Sequence, residues 1–288
     1  MTNLFDNNQN AGFFIEMKLC NDLIINDTKI SSIETLKNII KNPICIQGLP
    51  GMADIGKMAA DQLVVLLDAV KILDIFFDDF PAGAIVTDSI LYSPRAEIYY
   101  HQAFNNESDL LIITADAQPM SPRGIHAFSR FISKLVDYFN AKLIISLGAF
   151  PVEQPSKNGC IYVSATSEEV LNSMSFSDSF IKLSKGVIIG SNGLIPTLCK
   201  SHYDIDGIIL LAETNGFEAM KKDTYDVKAS MKLLDVLSDQ FNILLDKSKF
   251  NKESHIESLE AKIQSEKESI KKEINSSKKK PMTLPYFG

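Results

Sequence analysis

The sequence has few of the residues that build disulfide frameworks and metal sites. Its 288 residues include four cysteines and four histidines, and no two cysteines form a C-x-x-C pair. Scattered cysteines of this kind are typical of reduced, mostly buried side chains. The histidines are too far apart in the sequence to form a local metal-ligand motif. We therefore expect neither a metal nor another cofactor.

Long apolar runs and an excess of basic charge are also missing. No stretch approaches the roughly 20 apolar residues that cross a bilayer, and Met1–Asp6 lacks the basic and apolar regions of a signal peptide. The formal net charge is −7, whereas proteins that bind nucleic acid present a basic face. We therefore expect a cytoplasmic protein that binds neither a membrane nor nucleic acid.

From about residue 43, short apolar runs alternate with longer amphipathic segments. Continuous apolar runs are typical of strands covered on both faces, and the alternation predicts an α/β fold with helices on both faces of a sheet. The predicted strands are Pro43–Gln47, Ala84–Thr87, Ala96–Tyr100, Leu110–Thr114, Leu143–Leu147, Ile161–Val163, Val187–Ile189 and Ile208–Leu211. The predicted helices run from about Ile55 to Val70, from Pro122 to Phe139, through Leu194 to Cys199, and from about Asp223 to Leu245.

The composition changes after Asp246. Residues 249–277 are dominated by Lys, Glu and Ser, with apolar residues at spacings of three, four and seven, which predicts a charged helical stalk. Residues 278–288 contain Pro281 and Pro285 and are predicted to form a flexible tail. The predicted organisation is thus an α/β domain over residues 1–248, then the stalk, then the tail.

The tail is unusual for a chain terminus. Tyr286 and Phe287 are adjacent aromatic residues, Leu284 precedes them, and Gly288 supplies the carboxylate. Aromatic side chains bury about 150–250 Å² each and normally lie in a core or an interface, whereas termini are usually disordered. Either the tail folds back onto its own domain, or it is a peptide ligand that binds a pocket on another protein.

One segment resembles a nucleotide-binding loop but lacks a required ligand. Gly51–Met58 follows a predicted strand and opens a helix, as a P-loop does. Met58, however, occupies the position where a P-loop has a Ser or Thr hydroxyl that binds magnesium, and a thioether does not bind this hard cation.

Three carboxylates lie near predicted strand ends, where α/β enzymes place catalytic groups. They are Asp116, Glu153 and Glu213, and no base or cofactor loop accompanies them in the sequence.

Five short motifs, taken in order, resemble the proteasome assembly chaperone family, in particular its type-two branch with archaeal members. They cover roughly residues 40–245 and comprise Gly48–Gly51 with Ile55-Gly56 after it, Asp116–Pro119, Leu147–Ala149, Gly186–Leu194 and Leu210–Gly216. The segment Asn215–Glu218 departs slightly from the family's usual proline-aspartate ending. The resemblance implies a three-layer α/β/α domain similar to nucleoside phosphorylases, used for binding rather than catalysis.

The resemblance also implies a partner, the ring of α subunits of the 20S proteasome. Some members carry a C-terminal hydrophobic-tyrosine-any tripeptide that enters pockets between neighbouring α subunits. Mapped here, Tyr286 is the hydrophobic position, Phe287 replaces the tyrosine, and Gly288 supplies the carboxylate. With Leu284, these are the predicted partner-binding residues.

The main hypothesis is therefore a non-enzymatic chaperone that binds 20S proteasome α subunits and assists assembly or capping of the α-ring. The tail would serve as its docking peptide, and several tails on one homo-oligomer would strengthen binding. Two alternatives stay open. One is an ATP-independent activator that opens the gate of the mature particle. The other is an enzyme on the same fold, either a nucleoside phosphorylase or a nucleotide hydrolase.

Overall fold

The structure is a computed structural model and describes residues 12–103, 108–175, 180–220 and 225–245. The chain divides into two compact units, Met1–Asp246 and Lys247–Gly288. The predicted stalk and tail lie outside the described residues, and so do the four predicted site residues. Their structure and their role stay predictions.

The described chain combines strands and helices, but among the described residues from 70 to 115 five strands follow one another without a helix between them. The strands are β1 (Ile15–Leu19), β2 (Ile24–Ile25), β3 (Thr28–Lys29), β4 (Ile44–Gly48), β5 (Val70–Phe77), β6 (Ile85–Thr87), β7 (Ile90–Tyr92), β8 (Ala96–His101), β9 (Leu110–Ala115), β10 (Leu143–Val152), β11 (Ile161–Ala165), β12 (Phe180–Lys182) and β13 (Asp206–Asn215). The helices are α1 (Ile33–Ile39), α2 (Ile55–Leu66), α3 (Pro122–Tyr138), α4 (Glu168–Ser173), α5 (Ser191–Tyr203), α6 (Gly216–Ala219) and α7 (Val227–Phe241).

Within the described residues, nine strands form one mixed sheet in the order β1-β5-β8-β9-β4-β10-β13-β11-β12. The four central strands, β9, β4, β10 and β13, are parallel. Every residue of β4 and β9 is buried, as their continuous apolar runs predicted. Because parallel strands end on the same side, the loops that follow these four strands meet at one side of the sheet, which we name the carboxyl edge.

Helices cover both faces of the sheet. On one face, α2 packs against β4, β9 and β10, while α7 packs against α2 and β13. On the other, α1, α3 and α5 share a core with the sheet that includes Leu36, Phe128 and Ile195. Helix α3 begins as the sequence predicted, because the Ser121 hydroxyl accepts a hydrogen bond of 2.9 Å from the Gly124 amide. The predicted α/β fold is confirmed.

Several local predictions were wrong. The helix predicted to reach Val70 ends at Leu66, and Asp68 takes a left-handed φ of 48° before β5 begins. The predicted strand Val187–Ile189 is not a strand, and the side chains of Val187 and Ile189 are 87% and 86% exposed. The strand predicted at Ala84–Thr87 exists as β6, but it pairs with β7 in a separate hairpin. The last helix, α7, is shorter than predicted at both ends.

The structure also describes the four cysteines and the apolar character of the helices. Cys45 and Cys199 are buried, whereas Cys20 and Cys160 are half-buried, and all four thiols are free. Within the described ranges, no helix is long and apolar enough to span a membrane.

Candidate functional site

The five sequence motifs meet around one cleft at the carboxyl edge of the sheet. The cleft has a volume of about 670 Å³. Each motif contributes at least one residue to the lining of the cleft. Taken in motif order, examples are Gly51, Gln118, Ala149, Asn192 and Leu211. The motifs are far apart in the sequence, and the parallel order of β9, β4, β10 and β13 brings them together. Clefts in this position are the usual binding sites of open α/β sheets.

Side-chain amides hold the loops around the cleft in place. The Gln118 Nε2 donates to the Pro50 carbonyl at 2.5 Å, and the Asn192 Nδ2 donates to the Leu147 carbonyl at 3.2 Å. Below them, the fully buried Gln47 donates through Nε2 to the Ser146 hydroxyl at 2.5 Å. Each bond joins two segments that are far apart in the sequence, so the amides fix the loops relative to each other.

Close backbone packing explains two glycines of the first motif, Gly48 and Gly56. A Cβ atom on Gly48 would lie 2.0 Å from the Gly56 carbonyl oxygen, and one on Gly56 would lie 2.3 Å from the Leu147 carbonyl oxygen. Both distances are far below van der Waals contact, and the obstacles are backbone atoms. Helix α2 therefore begins directly against β4 and β10, and this part of the motif serves packing. Residues Gly48–Asp54, which link β4 to α2, form what we name the turn wall of the cleft.

Another part of the cleft lining is built differently. Residues 183–189, which we name the loop wall, contain no helix or strand and contribute Val187, Ile188 and Ile189 to the lining. Beyond them, Ile188 and Ile189 also border an open groove of about 350 Å³ that includes Ile125 and Leu194. Among the described residues that line the cleft, Lys185 carries the only charge. A lining of apolar side chains with a few amides is typical of clefts that bind a ligand.

The P-loop-like segment does not form a phosphate cradle. The Lys57 Nζ lies 2.9 Å from the Asp61 carboxylate in an ion pair within α2, and 3.4 Å from the Thr114 hydroxyl. The Gly51 amide donates to the Asp54 carboxylate at 3.3 Å. A carboxylate thus occupies the turn where a P-loop would present free amides to an anion. Burial raises the pKa of Asp54, although its bond from Gly51 lowers it.

Of the three strand-end carboxylates, two accept hydrogen bonds from residues distant in the sequence and the third is exposed. Asp116 accepts a hydrogen bond of 3.1 Å from the Arg95 amide, and burial raises its pKa. Burial alone would raise the pKa of Glu213, but hydrogen bonds from Ser156 and Cys160 hold it below its ordinary value. Glu153 is exposed. In the part of the chain that the structure describes, no three His, Cys, Asp or Glu side chains converge as a metal site.

A family model described as the PAC2 family matches residues 45–266, which is well over half of the chain. The chain belongs to the PAC2 family. The match confirms the resemblance drawn from the five motifs, and it includes all the residues that line the cleft.

Relatives of this PAC2-family chain include two uncharacterized proteins of Methanocaldococcus jannaschii. One is 28% identical over 255 residues, covering 88% of this chain and 97% of the relative. The other is 28% identical over 189 residues, covering 66% and 70%. The names of these relatives state no function.

Solved structures with the same fold come from Pyrococcus furiosus. PbaB, an archaeal proteasome activator, superposes with a TM-score of 0.70 at 22% identity, covering 90% of this chain and 98% of PbaB. PbaA, an archaeal homolog of proteasome-assembly chaperone, gives a TM-score of 0.61 at 21% identity, covering 83% of this chain and 94% of PbaA. At these identities the likeness establishes the PAC2 fold.

The cleft itself was not predicted from the sequence. The motifs were identified one by one, and the apolar run Val187–Ile189 was assigned to a strand. The signal that could have located the cleft is the position of the motifs, since four of the five follow or end a predicted core strand. In a parallel sheet, such segments meet at one edge.

Proposed function

We propose that this PAC2-family chain is a non-enzymatic chaperone that binds the α subunits of the 20S proteasome and assists assembly or capping of the α-ring. The observation that carries the proposal is the likeness to PbaB and PbaA over most of each chain. The surroundings of the candidate catalytic residues also support it, because Lys57 is held in an ion pair and both Asp116 and Glu213 accept hydrogen bonds from loop amides.

In this proposal the tail docks between neighbouring α subunits. Burying one aromatic ring gains about 4–6 kcal/mol at 25 cal/mol per Å², and association costs of about 4–15 kcal/mol offset this gain. One tail therefore binds weakly, while several tails on a homo-oligomer raise the avidity by about 10²–10⁴. The Gly288 carboxylate would form a charge-assisted bond with a basic group in the pocket.

The test measures binding of the full chain to the 20S proteasome, and of a variant that lacks Tyr286, Phe287 and Gly288. Loss of two aromatic anchors should weaken binding by at least about 30-fold. Leu244→Ala is the matched control, because Leu244 is an exposed apolar residue outside the tail, and it should bind as the full chain does. Equal binding by the truncated chain would refute tail docking, and no binding by the full chain would refute the function.

A second candidate is an ATP-independent activator of the mature particle, and the likeness to PbaB favours it. Here the tail would open the gate as well as bind. Because Phe287 lacks the hydroxyl of a tyrosine, Phe287→Tyr restores a possible hydrogen bond, so it should increase peptidase stimulation more than it increases binding. Stimulation without nucleotide supports the activator, and its absence alongside tight binding supports the chaperone. Phosphorolysis or nucleotide hydrolysis that is lost in Lys57→Ala would support an enzyme instead.

A further inference from the structure

The loop wall contains a short stretch of chain that has the properties of a strand without a partner. The backbone bends on either side of residues 186–189, and within them it contains no turn or helix. Val187 and Ile189 are 87% and 86% exposed, whereas Ile188 between them is half-buried. A period of two in side-chain exposure is characteristic of an extended strand. We name residues 186–189 the unpaired segment.

The backbone of the unpaired segment makes no hydrogen bond with any other described residue. The last backbone bond before it runs from the Leu183 amide to the Val163 carbonyl, at 2.9 Å. Close packing holds the segment instead, because a Cβ on Gly193 of α5 would lie 2.4 Å from the Ile188 carbonyl oxygen. Exposed backbone of this kind is a template to which another chain can add a strand.

Two openings with apolar linings border the unpaired segment. Ile188 and Ile189 line both the cleft and the groove of about 350 Å³ that includes Ile125 and Leu194. In strand addition, backbone hydrogen bonds supply affinity, and surfaces that receive alternate side chains supply specificity. The segment and its two openings therefore suit an extended peptide with apolar side chains.

Charge indicates which part of a polypeptide fits this surface. Lys185 directly precedes the unpaired segment, is exposed, and has no ion-pair or hydrogen-bond partner among the described residues. A strand that adds antiparallel runs towards Lys185, so its C-terminus can end there. A terminal carboxylate forms a charge-assisted hydrogen bond with a lysine, whereas the N-terminal ammonium of a parallel strand would be repelled. Charge complementarity thus favours a C-terminus in the antiparallel direction.

We propose that the unpaired segment binds the C-terminal residues of a partner protein. These residues add as an antiparallel strand, with apolar side chains against the cleft and the groove and with the terminal carboxylate beside Lys185. A second copy of this chain fits less well. Antiparallel pairing of two copies, centred on the segment, would set Lys185 of each against Gly190 of the other, where α5 begins and its helix dipole is positive. The proposal stands independently of proteasome binding.

The test uses synthetic hexapeptides in which valine, leucine or phenylalanine alternates with threonine. Each peptide is made with a free C-terminal carboxylate and with a C-terminal amide, and binding to the full chain is measured by fluorescence anisotropy. The carboxylate form should bind about threefold more tightly than the amide form. Lys185→Gln should remove this preference. Lys228→Gln is the matched control and should keep it, because Lys228 is an exposed lysine on α7.

A second measurement tests backbone pairing. Hydrogen exchange should show that the amides of residues 186–189 become protected when the peptide binds, while protection of β10 stays constant. Methyl groups on one of the two alternating sets of peptide amides should abolish binding, because only one edge of the peptide pairs with the segment.

The absence of binding by every peptide would overturn the proposal, and so would binding that leaves residues 186–189 unprotected. A preference for the carboxylate that survives in Lys185→Gln would also overturn it. Protection of residues 186–189 that rises with protein concentration in the absence of peptide would count against it as well, since a second copy would then cover the segment.

Discussion

The turn wall and the loop wall both line the cleft, but they are held in place in different ways. In the turn wall, Gly48 approaches the backbone of Gly56 so closely that a methyl group does not fit. In the loop wall, a Cβ on Gly186 would meet no atom within 4 Å, and Val187 and Ile189 are exposed. Gly48, where the first wall begins, is thus fixed by packing inside the domain. The second wall is accessible to solvent.

The largest effect should come from filling the packed space. Gly48→Ala places a Cβ 2.0 Å from a backbone oxygen, so α2 and β4 must separate. We expect a loss of about 3 kcal/mol in the free energy of unfolding, which lowers the unfolding temperature by roughly 6–12 °C for a domain of this size. Gly186→Ala is the matched control and should unfold as the wild type. Similar midpoints for both variants in thermal unfolding would remove the contrast between the walls.

A smaller effect should come from the carboxylate in the turn wall. Because burial raises the pKa of Asp54, its ionised form is less favourable in the folded chain, and this cost appears as pH rises through the folded pKa. Asp54→Asn keeps an acceptor for the Gly51 amide and removes the charge. It should therefore unfold at a higher temperature than the wild type at pH 7, with the difference vanishing below about pH 3.5. Glu153→Gln controls for loss of an exposed charge. If Asp54→Asn still unfolds at a higher temperature than the wild type below about pH 3.5, the raised pKa of Asp54 is not the cause of the difference.

The smallest effect on stability should come from the loop wall. Val187→Ser combined with Ile189→Ser removes two exposed apolar side chains, and we expect the free energy of unfolding to change by no more than about 0.5 kcal/mol. Urea unfolding measures it. A loss above about 1.5 kcal/mol would mean that these residues pack within the domain, and the two walls would then not differ as described.

The core strands could be predicted from the sequence because burial on both faces leaves a continuous apolar run. Leu110–Thr114 and Leu143–Leu147 are of this kind, and both lie in central strands. The same rule failed for Val187–Ile189, since β-branched apolar residues indicate a strand only where a neighbouring strand pairs with them. It also missed β5, whose first residue, Val70, continues the helical spacing of α2. The left-handed turn at Asp68 that separates the two is not encoded by apolar periodicity.

The candidate site was predictable only in pieces. The glycine turn at Gly48–Gly51 and the motif that contains Asn192 could be identified from the local sequence. That the two lie at the same cleft depends on the strand order. Strand order is a long-range property that the alternation of apolar runs does not determine. The tail differs again, because its proposed function depends on a pocket in another molecule.

The most direct test of the central claim is an electron cryo-microscopy map of the full chain bound to the 20S proteasome. The account predicts density for Tyr286, Phe287 and Gly288 in pockets between neighbouring α subunits, with the carboxylate beside a basic side chain. A complex in which the α/β domain contacts the ring while all of these pockets are empty would contradict it.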